Sequence, residues 1–185
     1  MYSITNKKTS SIYTISWSSY VDPLFLQSIK HVVPHTIFKD GPCIDLMATS
    51  ICSLDSMHFD YDMLVLLAKC ISKQIIFMEK RRQTYIGFEL SDILCVGKYF
   101  FIANSARIVS WDTRISAPFI KPTFTSPEII GLVKLPAYVS PLTGRYSLAT
   151  LIVSLLGGSM DGIKYTKLYW FLRRCLFHSP GFALV

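Results

Sequence analysis

The chain has 185 residues, of which 51% are hydrophobic and only 17% are charged. That length fits one domain with at most a small addition, and the charged fraction lies below the roughly 25% of an average soluble protein. A chain this apolar can build a large core, and we expect part of its surface to be covered by another protein or a membrane. A protein partner is the stronger expectation, because no segment reaches the ~20 apolar residues that span a bilayer.

The net charge of +7 does not by itself indicate a nucleic-acid partner. The basic residues are scattered, and the densest groups, at 80–82 and 173–174, are too short to track a phosphate backbone. We therefore expect no specific nucleic-acid binding.

The five cysteines indicate a reducing compartment. They are odd in number and contain no C-x-x-C pair, which argues against a disulfide framework or a zinc site. Three of them, Cys70, Cys95 and Cys175, lie inside apolar runs and are expected to be buried thiols. The first residues also lack the apolar core of a signal peptide, so a cytoplasmic location is expected.

The first part of the chain predicts a strand, a helix and a hairpin. Residues 1–20 are polar and alternate briefly near 12–17, which is typical of an edge strand or a loose arm. A helix is expected over 21–30, after an Asp-Pro start signal. Two β-like runs at 32–38 and 43–47, separated by an Asp-Gly turn, predict a hairpin.

The middle of the chain predicts a long helix, a second hairpin and a loop. Apolar residues recur at helical spacing over 59–80, with Asp60 as the N-cap. Short aromatic and β-branched runs at 92–96 and 99–103 predict the second hairpin. Five prolines break up residues 110–142, which are expected to be a long functional or packed loop.

Two helices are predicted at the C-terminal end. Residues 146–158 contain no charge, are apolar on every side, and end at two glycines, so a helix without a solvated face is expected in the centre of the core. Residues 164–177 predict a final helix with one apolar face.

This order of elements, with the short motifs inside it, resembles the C-terminal lobe of the protein kinase fold over residues 43–180. The order and spacing of the motifs carry the resemblance. Residues 43–50 look like the strand before the hinge, 60–80 like the long helix before the catalytic loop, and 88–94 (FELSDIL) like the end of that loop. Residues 101–106 (FIANSA) resemble the D-F-G segment, 125–128 (TSPE) the A-P-E motif, 145–149 (RYSLA) the start of the buried helix, and 172–180 (LRRCLFHSP) the R-C-L-x-x-D-P helix.

The resemblance implies an α+β, mainly helical fold with two parts. Residues 43–185 would form a kinase-like C-lobe, and residues 1–42 an N-terminal arm with a remnant of the N-terminal lobe, which is reduced to a hairpin or absent. Kinase-like proteins whose buried helix begins Y-S-L are typical of large DNA viruses, so the resemblance also implies a viral protein, located in the host cytoplasm or the virion.

The departures from the kinase pattern remove the catalytic groups. In kinases one Asp accepts the substrate proton, and the D-F-G Asp holds the metal ions that neutralise phosphate charge. Here the resemblance places Gly87 at the base position, Asn104 at the D-F-G Asp and Ala106 at its glycine. The Gly-rich loop and the strand Lys have no room, because only about 42 residues precede the hinge. Asp92 and Asn104 remain weak candidates for binding a nucleotide or a metal.

Glu128 takes the place of the A-P-E glutamate. In kinases this residue pairs with a buried Arg, whose position here falls near Ala183. Either Arg173 or Arg174 could substitute, but a less tightly held loop is the simpler expectation.

The function expected from the resemblance is that of a pseudokinase: a non-catalytic module that binds another protein or a second copy of itself, without a cofactor or a metal. Two alternatives stay open. One is an atypical kinase or nucleotide-binding protein in which Asp92, Glu89 or another carboxylate substitutes. The other is a membrane-associated viral structural protein.

Other groupings have ordinary structural explanations. Pro34 separates His31 from His35, which argues against a metal pair on one helix, and helix capping explains Asp60 with Asp62. Cys175 and His178 lack an activating acid. Several aromatic residues could stack on nucleic-acid bases, but their spacing favours packing: Tyr99, Phe100, Phe101, Tyr165, Tyr169, Trp170 and Phe171.

Overall fold

The first sheet of the protein combines two strands that precede the first helix in the sequence with two strands that follow it. A computed structural model describes residues 1–6, 11–112 and 114–177. Four strands pair antiparallel in the order β1-β2-β4-β3: β1 (Tyr2–Asn6), β2 (Ile12–Trp17), β3 (Ile37–Phe38) and β4 (Cys43–Met47). The expected alternation over 12–17 is confirmed, because Ile15 and Trp17 are buried on one face of this sheet. The expectation of an edge strand or a loose arm is wrong for this stretch, because β2 pairs with β1 on one side and with β4 on the other.

Helix α1 (Pro23–Val32) contacts that face of the sheet through Phe25, whose ring lies edge-on to the Trp17 ring at 5.9 Å. The Asp22 carboxylate accepts the N–H of Leu24 at 2.8 Å, which confirms the predicted start. The predicted strand at 32–38 is wrong over its first half, because Val32 belongs to the buried side of the helix. The predicted hairpin is confirmed with a shorter first strand, since β3 pairs with β4.

Strand β4 ties the two predicted parts of the chain together. The sequence placed a boundary between residues 42 and 43, but β4 begins at Cys43 and lies between β2 and β3 in the first sheet. Residues 1–42 therefore contribute three strands and a helix rather than a single hairpin, and the fourth strand of their sheet, β4, comes from the predicted C-lobe.

The long amphipathic helix predicted over 59–80 is confirmed as α2 (Tyr61–Glu79). Asp60 caps it by accepting the N–H of Met63 at 2.8 Å. Its buried positions follow the predicted stripe and include Leu64, Leu67, Ile71, Ile75 and Met78.

Two smaller sheets flank this helix. Strands β5 (Ile51–Ser53), β7 (Ile93–Val96) and β8 (Tyr99–Ile102) form one of them, in the order β5-β7-β8. Strands β6 (Gln83–Tyr85) and β9 (Ile108–Ser110) form the other. The predicted second hairpin is confirmed as β7–β8, with Gly97 at a φ of +58° in the turn.

The part of the C-terminal half that the structure describes contains a long loop and three α-helices: α3 (Pro127–Ile130), α4 (Thr143–Leu155) and α5 (Lys167–Phe177). Helix α4 starts three residues before the predicted 146 and ends before Gly157 and Gly158, whose φ values are positive as expected of a helix stop. The expectation that it has no solvated side is wrong, because Arg145 and Ser154 are exposed.

The α+β class predicted from the sequence is confirmed. Helices contain 40% and strands 23% of the residues, so helix is the larger of the two but does not make up most of the chain. The loop between β6 and β7 and the loop after β8 lie side by side, and they carry the residues considered next.

Candidate functional site

The loop at residues 86–89, the loop segment, corresponds to the catalytic-loop position in the resemblance. It is bound along its length to residues 122–125, the covering segment. Phe88 and Phe124 exchange both main-chain hydrogen bonds, at 2.9 and 3.0 Å. The covering segment therefore lies directly against the main chain of the loop segment.

Side chains strengthen this closure. The Thr125 hydroxyl is buried and donates to the carbonyl of Ile86. The Glu89 carboxylate accepts the N–H of Thr123 at 2.8 Å. Glu89, which the sequence named as a substitute catalytic carboxylate, thus holds the covering segment in place.

Gly87 has no space for a side chain. Its φ is +149°, a conformation that residues with a Cβ rarely adopt. A Cβ at this position would lie 2.7 Å from the Phe124 carbonyl oxygen, and 2.9 Å from both Pro122 Cγ and Thr125 Cβ. Position 87, where the resemblance places the kinase base, is therefore closed by backbone conformation and by packing.

The Asp92 carboxylate is surrounded by donors from its own chain. Asn104 Nδ2 donates to one oxygen at 2.6 Å, while Arg107 Nε and the main-chain N–H of Glu89 donate to the other at 3.1 and 2.8 Å. The Asp92 side chain is 6% exposed and that of Arg107 is 16% exposed. A cation that approached this carboxylate would have to displace the guanidinium.

Asn104 uses both ends of its amide for local structure. Its Nδ2 binds Asp92, and its Oδ1 accepts the N–H of Ala106 at 3.1 Å, which caps the 3-10 turn at Ser105–Arg107. The structure thus brings together the two sequence candidates Asp92 and Asn104 as a hydrogen-bonded pair, and Arg107 supplies the positive charge beside it.

Two side chains of the first sheet donate hydrogen bonds to main-chain carbonyls beside this cluster. The Tyr2 hydroxyl donates to the Ser91 carbonyl, and Trp17 Nε1 donates to the Ala103 carbonyl, both at 2.7 Å. Burial raises the pKa of the Tyr2 hydroxyl to about 12, with further contributions from the negative charges of Asp92 and Asp55. Tyr2 therefore stays protonated and keeps donating at neutral pH.

Sequence reasoning missed Arg107, Tyr2 and Trp17. Arg107 carried a usable signal, because a basic residue lies three positions after the Asn that replaces the metal-binding Asp. Tyr2 and Trp17 carried none, since their partners are 89 and 86 residues away along the chain.

Glu128 is held by helix α4 rather than by an arginine. One carboxylate oxygen accepts the Thr143 hydroxyl at 2.7 Å, and the other is buried with no hydrogen-bond partner among the described residues. Arg173, one of the expected substitutes, instead stacks over the rings of Tyr169 and Trp170. The position near Ala183 lies outside the described residues.

The other sequence groupings fall into structural roles. His31, in α1, packs against the ring of Phe77 in α2, and His35 follows the end of α1. Asp60 caps α2, and Asp62 lies in its first turn. Among the described residues, no cluster of three or more His, Cys, Asp or Glu side chains could hold a metal ion.

Cys175 is half-buried, a little more exposed than expected, and His178 lies outside the described residues. Burial raises the pKa of the Cys175 thiol to about 11, so the thiol is protonated at neutral pH. In the aromatic set, Phe100 and Phe101 belong to the core, whereas Tyr165 and Trp170 are exposed.

Comparison with known proteins adds no assignment. No protein-family model matches the sequence, and no curated protein matches it. In the part of the chain that the structure describes, no helix has the length and apolar character needed to cross a membrane.

Proposed function

We propose that this protein is a pseudokinase-like, non-catalytic module that binds another protein. The observation that carries the proposal is the Asp92 cluster: this carboxylate, near the kinase metal position, is paired with the Arg107 guanidinium and hydrogen-bonded by Asn104. The closed base position at Gly87 supports the same conclusion. A kinase-like arrangement is further supported by the β6–β9 pair and the β7–β8 hairpin around this cluster.

Phosphoryl transfer needs a base and metal-held phosphates, and both positions are filled here by the chain itself. In the alternative of an atypical kinase, Asp92 or Glu89 would replace the missing catalytic carboxylate. Both are already engaged, since Glu89 binds Thr123 and Asp92 binds Arg107. We place the module in the cytoplasm, of a host cell if the protein is viral, in keeping with its five free thiols.

Thermal melting of the purified protein with and without millimolar Mg-ATP tests the non-catalytic part of the proposal. Because a ligand that binds the folded state raises the melting temperature, a site that is occupied by Arg107 gives no shift. An active kinase measured in the same buffer is the control. A rise of several degrees would overturn the proposal and favour the nucleotide-binding alternative.

The partner surface that we propose is the loop between β9 and α4. Four large apolar side chains of this loop are exposed, by 60 to 91%: Ile120, Ile130, Val133 and Tyr138. Its backbone is held in place, because Lys121 Nζ donates to the carbonyls of Ile130 and Leu132 at 2.7 and 2.9 Å. Exposed apolar groups on a fixed backbone are typical of a protein-binding surface.

Paired variants test this surface. Val133→Ser combined with Ile130→Ser should abolish co-purification of the partner, or self-association in sedimentation experiments. Tyr20→Ser removes a similarly exposed side chain, 84% exposed, outside the loop and should leave binding unchanged. Equal binding by both variants would exclude this loop as the interface.

A further inference from the structure

Two of the five cysteines face each other across a pair of strands. In the antiparallel pair β5–β7, Cys52 is the direct partner of Cys95. Directly opposed residues of antiparallel strands have Cα atoms about 4.5–5.5 Å apart and side chains on the same face. A disulfide requires a Cα separation of about 4.4–6.8 Å, so the register alone brings this pair within bonding range.

The surroundings of the two thiols differ. Cys95 is 7% exposed, and burial raises its pKa to about 11, with smaller contributions from the neighbouring thiols of Cys52 and Cys70. Cys52 lies on the outer strand of this sheet and is only half-buried. A small oxidant can therefore reach the Cys52 thiol first, and the buried Cys95 thiol lies directly opposite it as the second reactant.

We propose that Cys52 and Cys95 form an oxidation site at which a hydroperoxide converts two thiols into a disulfide. The peroxide oxidises the Cys52 sulfur to a sulfenic acid and is itself reduced, releasing one water when it is hydrogen peroxide. The Cys95 sulfur then attacks the Cys52 sulfur and loses its proton, and the sulfenic hydroxyl leaves as a second water. One S–S bond forms, and both electrons removed from the thiols reside in the reduced peroxide.

The bond would change how the first sheet is attached to the rest of the protein. Strand β5 follows β4 directly, and its ladder with β7 contains only three residue pairs. The disulfide would close a ring from residue 52 to residue 95 that includes all of α2 and the loop segment. A closed ring of this length restricts the unfolded chain, so the oxidised protein should melt at a higher temperature.

Peptide mapping tests the pairing. The reduced full-length protein is treated with hydrogen peroxide, the remaining thiols are blocked, and the chain is cleaved before each aspartate without reduction. This cleavage places the five cysteines on five different peptides, with Cys52 in 45–54 and Cys95 in 92–111. We expect one cross-linked species that joins these two peptides, and a loss of two of the five thiols.

The variants make the test specific. Cys52→Ser and Cys95→Ser should each abolish the cross-link and the rise in melting temperature, whereas Cys43→Ser, at a half-buried position in β4, should keep both. In Cys95→Ser, a dimedone-type trap should capture the sulfenic acid on Cys52. If one of these variants fails to fold, the wild-type peptide map still decides.

Three outcomes would overturn the proposal. The first is a cross-link between Cys70 and Cys95, and the second is a sulfinic acid on Cys52 without any cross-link. The third is a mixture of cysteine pairings that matches the mixture formed when the protein is oxidised while unfolded in urea. Each would mean that the strand register does not direct the oxidation.

Discussion

Gly87 shows how one position can be closed in two independent ways. Its φ of +149° favours glycine, and the three atoms from the covering segment within 3 Å of a built Cβ exclude any side chain. The same covering segment holds the loop segment through the Phe88–Phe124 hydrogen bonds. The glycine and the covering segment therefore depend on each other.

Replacement of Gly87 by alanine should lower the free energy of unfolding by about 2–4 kcal/mol, because it adds both backbone strain and overlap. Gly97→Ala is the matched control, since Gly97 also has a positive φ but no atom within 4 Å of a built Cβ. It should cost only about 1–2 kcal/mol. Urea unfolding measures both, and equal losses would show that the covering segment yields to the methyl group.

Arg107 neutralises a carboxylate that is almost fully buried. Arg107→Met keeps much of the packing but leaves Asp92 with only its two neutral donors, so we expect a loss of about 3 kcal/mol in unfolding free energy. Adding Asp92→Asn removes the unpaired charge and should restore part of that loss.

The exposed pair of Arg82 and Asp112 provides the control for this experiment. Its side chains are 74% and 49% exposed, so Asp112→Ala should change the unfolding free energy by less than about 1 kcal/mol. If Arg107→Met cost no more than Asp112→Ala, the buried pair would not hold this region together.

At the scale of elements, Gln74 joins three of them. From the middle of α2 its amide donates to the Ser28 hydroxyl of α1 and to the Ile102 carbonyl of β8, and its oxygen accepts the Ile102 N–H at 2.7 Å. All these groups are buried. The first helix, the long helix and the hairpin are thus locked in one arrangement.

Gln74→Leu should destabilise the protein by about 2–4 kcal/mol, because the buried N–H and C=O of Ile102 lose their partner. Lys73→Leu places the same side chain at the adjacent, exposed position of α2 and should stay within about 0.5 kcal/mol of wild type. Chemical denaturation measures the unfolding free energy of the two variants and of the wild type. Similar effects would mean that the hydrogen bonds of Gln74 contribute little.

Local signals in the sequence were sufficient for single elements. Asp22 with Pro23 and Asp60 marked two helix starts, and Gly97 marked the hairpin turn, because capping and turn chemistry act within a few residues. Pairing between distant segments had no such signal. The place of β4 between β2 and β3 depends on contacts about 30 residues apart in sequence, which periodicity does not encode.

The candidate site was predicted in part. Asp92 and Asn104 were named and do meet, but the sequence could not show that Arg107 completes the cluster or that residues 122–125 cover Gly87. Both are tertiary contacts.

At the scale of the whole molecule, the core should be sensitive to alkaline pH. Burial raises the pKa of the Cys95 and Cys175 thiols from 9.0 to about 11. Between these values the unfolded chain loses protons that the folded protein retains, so stability is fully present below pH 9 and falls as the pH rises toward 11.

The variants Cys95→Ala and Cys175→Ala remove one such thiol each and should flatten this decline, the double variant most of all. Urea midpoints measured under reducing conditions from pH 8 to pH 11 give the slopes. An identical slope in the wild type and the double variant would show that other groups control the alkaline response.

The closed environment of Gly87 also has an evolutionary consequence. A mutation that introduced a carboxylate at this position would meet the Phe124 carbonyl, Pro122 and Thr125 at once, and would need a different backbone conformation. A single substitution that places a side chain at position 87 therefore lowers the stability of the fold, and selection for a folded protein removes it. Glycine is thereby fixed at position 87, whereas exposed positions such as Val133 can change during evolution without the same loss of stability.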